Sequence, residues 1–87
     1  MRKEAVTMST VQSFPKIDYI ATGKNIVRLR KERGLSVKDL ADWFGFTEVR
    51  AIYKWQTGQT LPSINNFYAL SVLFNVPMND IIVSDDE

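Results

Sequence analysis

The chain has 87 residues, eleven Lys and Arg against ten Asp and Glu, and neither Cys nor His. Its length predicts one domain, with a core close to the marginal size for independent stability. The missing residue types exclude disulfides, thiol nucleophiles and histidine acid–base chemistry, and they leave no metal site or cofactor to be expected.

The first twenty residues divide into two parts. Residues 1–13 are polar and without periodicity, so we expect a flexible N-terminal arm, and they contain no apolar stretch typical of a secretory signal. Residues 14–20 hold Phe14, Ile17, Tyr19 and Ile20, which are too apolar for free solvent. This segment is expected to pack against the domain.

Two short helices separated by a tight turn are predicted in the middle of the chain. The first, Val37–Phe44, opens with a capping box in which Ser36 and Asp39 satisfy each other's backbone N–H groups. Gly45 then stands where a helix ends in the left-handed conformation, which costs glycine little. The second helix follows within a few residues and is expected over residues 48–56. This arrangement indicates a helix-turn-helix.

Three further helices complete an all-α prediction with five helices. One covers Thr22–Arg33, the fourth covers Ile64–Phe74, and a short fifth follows Pro77 and ends near Val83. The buried face of the fourth helix is expected to contain Ile64, Phe67, Leu70, Ser71 and Phe74. Its apolar run is far shorter than the ~20 residues that span a bilayer. We therefore expect a cytoplasmic protein that does not enter a membrane.

Charge is unevenly distributed along the chain. All eleven basic residues lie at or before Lys54, against six acids, whereas residues 55–79 carry no charge and residues 84–87 form an acidic tail. A solvated helix surface explains most such clusters, but a basic region that coincides with a helix-turn-helix favours binding to a phosphate backbone. We therefore expect a DNA-binding domain over residues 14–83.

A set of residues in this region follows a known order and spacing. Its members are Ile26, Leu29, Arg30, Gly34, Leu35, Ser36, Leu40, Ala41, Gly45, Ile52, Trp55, Gly58 and Pro62, and it continues through Leu70–Ile82. Over residues 20–83 the chain resembles the Xre, or lambda Cro/repressor-like, family of helix-turn-helix DNA-binding domains. Two departures stand out, because the segment from Gly45 to Ile52 is one residue longer than usual and Gln56 replaces the usual Glu. The resemblance implies that Arg30 pairs with Gln56 and approaches a phosphate.

The third predicted helix is expected to turn one face toward DNA bases. If Ile52 and Trp55 point into the core, a helix that turns about 100° per residue directs its polar side chains to the opposite side. Arginine there pairs with guanine, lysine reaches guanine or phosphate, and valine contacts a thymine methyl group. The predicted base contacts are Val49, Arg50, Tyr53 and Lys54. The resemblance implies base contacts at three of these four, with Tyr53 added from the helical period alone.

A second set of polar residues surrounds that face and is expected to hold phosphates. The predicted phosphate contacts are Arg30, Ser36, Lys38, Thr47, Thr57, Gln59 and Thr60. Ser36 and Lys38 lie at a helix N-terminus, where free N–H groups and the helix dipole favour an anion. For Thr57, Gln59 and Thr60, ordinary turn chemistry is an equally good interpretation.

Two apolar groups leave alternatives open. Trp55 fits the core by its period, whereas Trp43 lies off the apolar stripe of its helix. Trp43 marks either a partner surface or a packing site for residues 14–20. Residues 81–83, Ile-Ile-Val, either complete the core or form a dimer seam.

These patterns favour a non-enzymatic protein that binds double-stranded DNA, a transcriptional regulator that acts as a homodimer on a palindromic operator. The homodimer is a geometric expectation, because one short helix reads few base pairs and two half-sites one DNA turn apart double the contact. The alternative is a protein-interaction module or antitoxin component with the same fold. An enzyme is least supported, because carboxylates such as Asp39 and Asp42 are not joined by a nucleophile or base.

Overall fold

The computed structural model of the protein describes residues 14–85. In this range it contains four α-helices, α1 (Tyr19–Glu32), α2 (Val37–Phe44), α3 (Arg50–Gln56) and α4 (Ile64–Phe74), followed by a single 3-10 turn, Met78–Asp80. The all-helical class is confirmed. The predicted arm at residues 1–13 and the last two residues of the acidic tail lie outside the described residues.

α1 begins three residues earlier than predicted. Asp18 is its N-cap, and the Asp18 carboxylate accepts a hydrogen bond from the backbone N–H of Ala21 at 2.9 Å. The predicted start at Thr22 overlooked this cap. The end agrees with the prediction to one residue, with Gly34 in the left-handed conformation just beyond it.

The predicted bounds and caps of α2 are confirmed. The Ser36 hydroxyl accepts from the Asp39 N–H at 2.9 Å, and the Asp39 carboxylate accepts from the Ser36 N–H at 2.8 Å. At the other end Gly45 adopts φ +79°, which lets the Phe46 N–H reach the carbonyl of Ala41 at 2.8 Å. Such a reversal favours glycine because a side chain strains the left-handed conformation.

α3 begins at Arg50, two residues later than predicted. Residues 47–49 form bends, and Val49, the N-cap residue, makes no side-chain capping hydrogen bond. The extra residue between Gly45 and Ile52 is thus accommodated in a longer turn, which leaves Ile52 fully buried. Without a capping side chain at residues 47–49, α3 keeps only seven residues.

The predicted fifth helix is replaced by the 3-10 turn and an extended segment. The Val83 N–H donates to the hydroxyl of buried Thr22 at 2.9 Å, and the Val83 carbonyl accepts from the Asp18 N–H at 2.8 Å. Ile17 and Ser84 form an isolated antiparallel bridge in the same place. A fifth helix would need the Val83 N–H for its own hydrogen bonds. Because this N–H is bound to Thr22 instead, the chain stays extended there.

The core is assembled from all four helices and the C-terminal segment. Its buried apolar residues are Ile26, Leu29, Leu40, Ala41, Ile52, Trp55, Phe67, Leu70, Phe74 and Ile81. The core position of Trp55 is confirmed, and Ile81 belongs to the core, with Ile82 packed at its edge. Gly23 lets α1 approach α3, since an added Cβ would lie 2.4 Å from the carbonyl oxygen of Trp55.

One prediction about burial is wrong, and a second is confirmed only in part. Ile64 was expected on the buried face of α4, but it is 74% exposed, because it lies at the edge of the arc centred between Phe67 and Phe74. Phe14 is 75% exposed, and Ile20, in the first turn of α1, is 58% exposed, whereas Ile17 is half-buried. The segment before α1 is nevertheless held against the domain, by backbone hydrogen bonds from residues 16–18 to residues 83–85. No helix among the described residues is long and apolar enough to cross a membrane.

Candidate nucleic-acid interface

The outer face of α3 carries polar side chains because its inner face is anchored. Ile52 and Trp55 hold the helix on the core at 0% and 5% exposure. Arg50 and Tyr53 lie on the opposite side, with the Arg50 side chain 75% exposed and Tyr53 50% exposed. Lys54 is half-buried. The helix therefore presents long polar side chains outward from a rigid support, as direct reading of base edges requires.

Val49 lies differently from its predicted position. It precedes the first turn of α3 and is half-buried, with its side chain packed against the core. Part of its apolar surface is therefore already in contact with the protein. Less of the Val49 side chain is therefore available to contact a thymine methyl group than the sequence predicted.

The turn between α2 and α3 brings several predicted contacts to one surface. Lys38, Thr47 and Arg50 line a shallow depression on one side of the turn. Thr47, Arg50, Lys54 and Thr60 line a second depression beside it. Residues from α2, α3 and the loop after α3 thus converge around the turn. A phosphate backbone that follows this surface would meet three cationic side chains and two hydroxyl groups, together with Glu48, which lines both depressions, and Asp42, which lines the first.

An acidic residue that the sequence analysis left out lies beside the predicted guanine reader. Glu48 Oε1 is 3.8 Å from Arg50 Nη2, and both side chains are more than two thirds exposed. Residues two apart do not face each other on an α-helix, so a helix that began at Glu48 gave no reason to pair them. The pair exists because α3 begins at Arg50 and Glu48 lies in the preceding turn.

Lys38 of α2, which was predicted to contact phosphate, forms a second exposed ion pair. Lys38 Nζ lies 3.0 Å from Asp42 Oδ2, one helical turn away on α2. Exposed pairs of this kind contribute only about 0–1 kcal/mol. A phosphate can therefore replace Asp42 as the partner of Lys38 with little loss of free energy. The same holds for Arg50 and its partner Glu48.

The N-terminus of α2 is already capped. The Asp39 carboxylate accepts the Ser36 N–H, and this hydrogen bond, together with a smaller effect of the Ser36 hydroxyl and of Lys38, lowers the pKa of Asp39 below its ordinary value of 3.8. A carboxylate thus occupies the position at which an anion was expected. A phosphate contact from the Ser36 hydroxyl would compete with its interaction with the Asp39 carboxylate.

Arg30 and Gln56 are in contact, as the resemblance implied. Arg30 Nε donates to Oε1 of Gln56 at 2.9 Å, and Arg30 Nη1 donates to the Leu35 carbonyl at 2.7 Å. Arg30 thereby joins α1, the turn before α2 and the last residue of α3. Its Nη2 makes no hydrogen bond to any residue from 14 to 85, which leaves it as a donor for a phosphate.

A comparison with known families decides the kind of protein. A family model described as helix-turn-helix matches residues 26–81, more than half of the chain. The chain belongs to the helix-turn-helix family. Within it the chain is of the Xre-like type, and the family consists of DNA-binding domains. No curated protein and no solved structure matches the sequence.

The matched range of this helix-turn-helix protein coincides with its core. The first and last buried apolar residues are Ile26 and Ile81, the same residues that bound the match. The segments that pair next to it, residues 16–18 and 83–85, fall outside the match. The family similarity therefore covers the buried core from the second half of α1 onward and leaves out the paired segments 16–18 and 83–85.

The turn after α3 satisfies its own polar groups. The Thr57 hydroxyl donates to the Tyr53 carbonyl at 3.0 Å, and the Gln59 side-chain amide donates to the Thr57 hydroxyl oxygen at 3.0 Å. This is the turn chemistry that the sequence left as an alternative for these residues. Phosphate contacts from Thr57 and Gln59 would have to compete with, or add to, these hydrogen bonds.

Proposed function

We propose that this helix-turn-helix protein is a sequence-specific transcriptional regulator that binds double-stranded DNA as a homodimer on a palindromic operator. The observation that carries the proposal is the outward face of α3, where Arg50 and Tyr53 are exposed while Ile52 and Trp55 are locked in the core. Because the helix backbone is already fixed, only the side chains lose conformational freedom when they meet base edges. This favours reading by α3 in the major groove.

The roles of the individual residues follow from their positions. Arg50 reads guanine bidentately, and Lys54 and Tyr53 extend the contact along the groove. Phosphates on either side of the helix are held by Lys38, Thr47, Thr60 and Arg30, whose Nη2 bonds to none of residues 14–85. The exposed part of the Val49 side chain contacts a thymine methyl group.

A protein-interaction module, including an antitoxin component, is the second candidate function. Glu48 and Asp42 each neutralise a cation on the proposed DNA-binding surface, which weakens its attraction for phosphate. Trp43 is 49% exposed near the end of α2, in a T-shaped arrangement with Phe44, and an exposed Trp is typical of protein contacts. A single experiment separates the two candidates.

That experiment is selection of bound duplexes from a random DNA pool, followed by salt titration on the selected and on random duplexes. DNA binding predicts an enriched sequence and a log–log salt slope set by the number of phosphates contacted. A protein that enriches no sequence and binds no duplex in a salt-dependent way would leave the protein-interaction function in its place.

A further inference from the structure

Glu48 places a negative charge on a surface that otherwise suits an anion. It lines both depressions around the turn between α2 and α3, together with Thr47 and Arg50. Its side chain is 70% exposed, so its charge repels the phosphates of any duplex that approaches, whatever the base sequence. The function proposed above gives Glu48 no contact that would offset this repulsion.

The position of Glu48 brings its carboxylate close to the bases that α3 is proposed to read. α3 begins at Arg50 and Val49 is its N-cap residue, so Glu48 lies in the turn immediately before the helix. Glu48 Oε1 is 3.8 Å from Nη2 of Arg50, the proposed guanine contact. Successive bases of a strand are about 3.4 Å apart along the duplex. Glu48 can therefore reach the base pair next to that guanine.

The ion pair between Glu48 and Arg50 leaves both side chains able to bind DNA. Its length of 3.8 Å exceeds that of a hydrogen bond, and the Glu48 carboxylate accepts no other hydrogen bond from residues 14–85. An exposed pair of this kind contributes little free energy. The carboxylate oxygens of Glu48 are thus available to a hydrogen-bond donor on a ligand.

The chemistry of a carboxylate restricts which base it can contact. An ionised carboxylate accepts hydrogen bonds and donates none. In the major groove guanine and thymine present acceptors, whereas cytosine N4 and adenine N6 present donors. Adenine also presents the acceptor N7 beside its amino group, which repels a carboxylate. Cytosine is therefore the base that complements Glu48, as guanine complements Arg50.

We infer that Glu48 determines specificity by accepting a hydrogen bond from N4 of a cytosine in the base pair next to the guanine bound by Arg50. This inference rests on the proposed function and adds a second base to the sequence that the protein reads. With cytosine in place, the hydrogen bond offsets the repulsion between Glu48 and phosphate. With any other base the repulsion remains, so Glu48 discriminates mainly by weakening binding to the wrong duplexes.

Asp42 provides a matched control for an effect of charge alone. It is a second exposed acid, it lines the first depression, and it is paired with a cation, Lys38. It lies on α2, however, and the first helix of a helix-turn-helix crosses the DNA backbone rather than entering the groove. Asp42→Asn therefore removes the same charge as Glu48→Gln from the same surface without removing a base contact.

The test is selection of bound duplexes from a random pool by the parent, Glu48→Gln and Asp42→Asn proteins. The parent should enrich a sequence with cytosine in the base pair next to a guanine. Glu48→Gln should keep the guanine and replace the cytosine by adenine, because an amide bonds both N6 and N7 of adenine. Asp42→Asn should enrich the parent sequence. On duplexes that differ only at this base pair, the parent should prefer cytosine roughly tenfold, and Glu48→Ala should lose that preference.

The outcomes separate this inference from the function on which it rests. A Glu48→Gln selection that matches the parent at every position would overturn the inference, because Glu48 would then act through its charge alone. The same change of base in Asp42→Asn would overturn it as well. A parent protein that enriches no sequence would instead contradict the proposed function. The guanine retained by Glu48→Gln also shows that this variant is folded and still binds through Arg50.

Discussion

Arg30 donates a hydrogen bond from Nε to Oε1 of Gln56 across 2.9 Å, which ties the last turn of α1 to the last residue of α3. The contact is half-buried and its acceptor is neutral, so Arg30 keeps its full positive charge at the edge of the proposed DNA-binding surface. A glutamate in place of Gln56 would hold α3 more firmly but would cancel that charge. Stability and DNA affinity are thus opposed at this position.

We expect Gln56→Glu to stabilise the domain by about 1 kcal/mol, the margin of a charged over a neutral hydrogen bond. It should also weaken binding to any duplex, because it places a negative charge near phosphate. Urea denaturation and a DNA titration measure the two effects. Gln59→Glu is the matched control for stability, since Gln59 does not contact Arg30: it adds the same charge near phosphate and should weaken DNA binding without the gain in stability. A Gln56→Glu variant less stable than the parent would contradict the pairing.

The left-handed conformation of Gly45 predicts a backbone effect rather than a steric clash. Its φ is +79° and an added Cβ would meet nothing within 4 Å, so strain in the backbone is the only cost. Gly45→Val should lower stability by about 1 kcal/mol or more. Gly45→Asn should cost less, because asparagine tolerates this conformation better. Thermal denaturation compares the two, and equal midpoints for parent and Gly45→Val would exclude the turn as the source of constraint.

The capping box predicts how stability changes with pH. The pKa of Asp39 is lowered by the Ser36 N–H, so its carboxylate stabilises the fold above the ordinary value of 3.8 and loses that effect as the pH falls through the lower folded value. Asp39→Asn should therefore be less stable than the parent at neutral pH. The difference should vanish at strongly acidic pH. Chemical denaturation of both proteins across this range measures it, and a gap that is independent of pH would rule out the charged cap.

Arg50 is expected to contact bases and Lys38 to contact a phosphate, so their alanine variants should change DNA binding in different ways. Arg50→Ala should cost about 1–3 kcal/mol on the selected duplex and much less on random DNA, so the specificity ratio falls. Lys38→Ala should weaken both complexes similarly and lower the salt slope by about 1. Salt titrations on both duplexes provide the measurement. If Arg50→Ala kept the specificity ratio intact, base reading would have to be reassigned to residues 47 and 48.

The pair of Glu48 and Arg50 predicts a restraint on non-specific binding. Glu48→Gln should free Arg50 and remove a charge that repels phosphate, which should raise affinity for random duplex by about two- to fivefold, the equivalent of one exposed ion pair. Glu32→Gln, which changes an exposed acid paired within α1 and its C-cap, is the control and should have a smaller effect. A Glu48→Gln variant with unchanged affinity for random DNA would show that the ion pair does not restrain Arg50.

Local signals account for the parts of the fold that could be predicted. Ser36 and Gly45 delimit α2 through hydrogen bonds and a conformation that depend only on residues within one helical turn. Ser63 caps α4 in the same local way, through the N–H of Asn66. The helical period also placed Ile52 and Trp55 in the core, because a seven-residue helix on a small core has one inner face.

Contacts between distant parts of the chain decided the rest. Val83 is extended instead of helical because its N–H is bound by Thr22, and Ile64 faces outward because the core lies beneath Phe67 and Phe74. The pairing of Glu48 with Arg50 arose from the start of α3, which the longer turn shifted by two residues. The sequence alone thus determined the helix-turn-helix, its caps and its outward residues, since these follow from local hydrogen bonding and helical period. Only the tertiary structure decided which apolar surface remained uncovered and which charges met, because both depend on where the packed helices bring residues that are far apart in the chain.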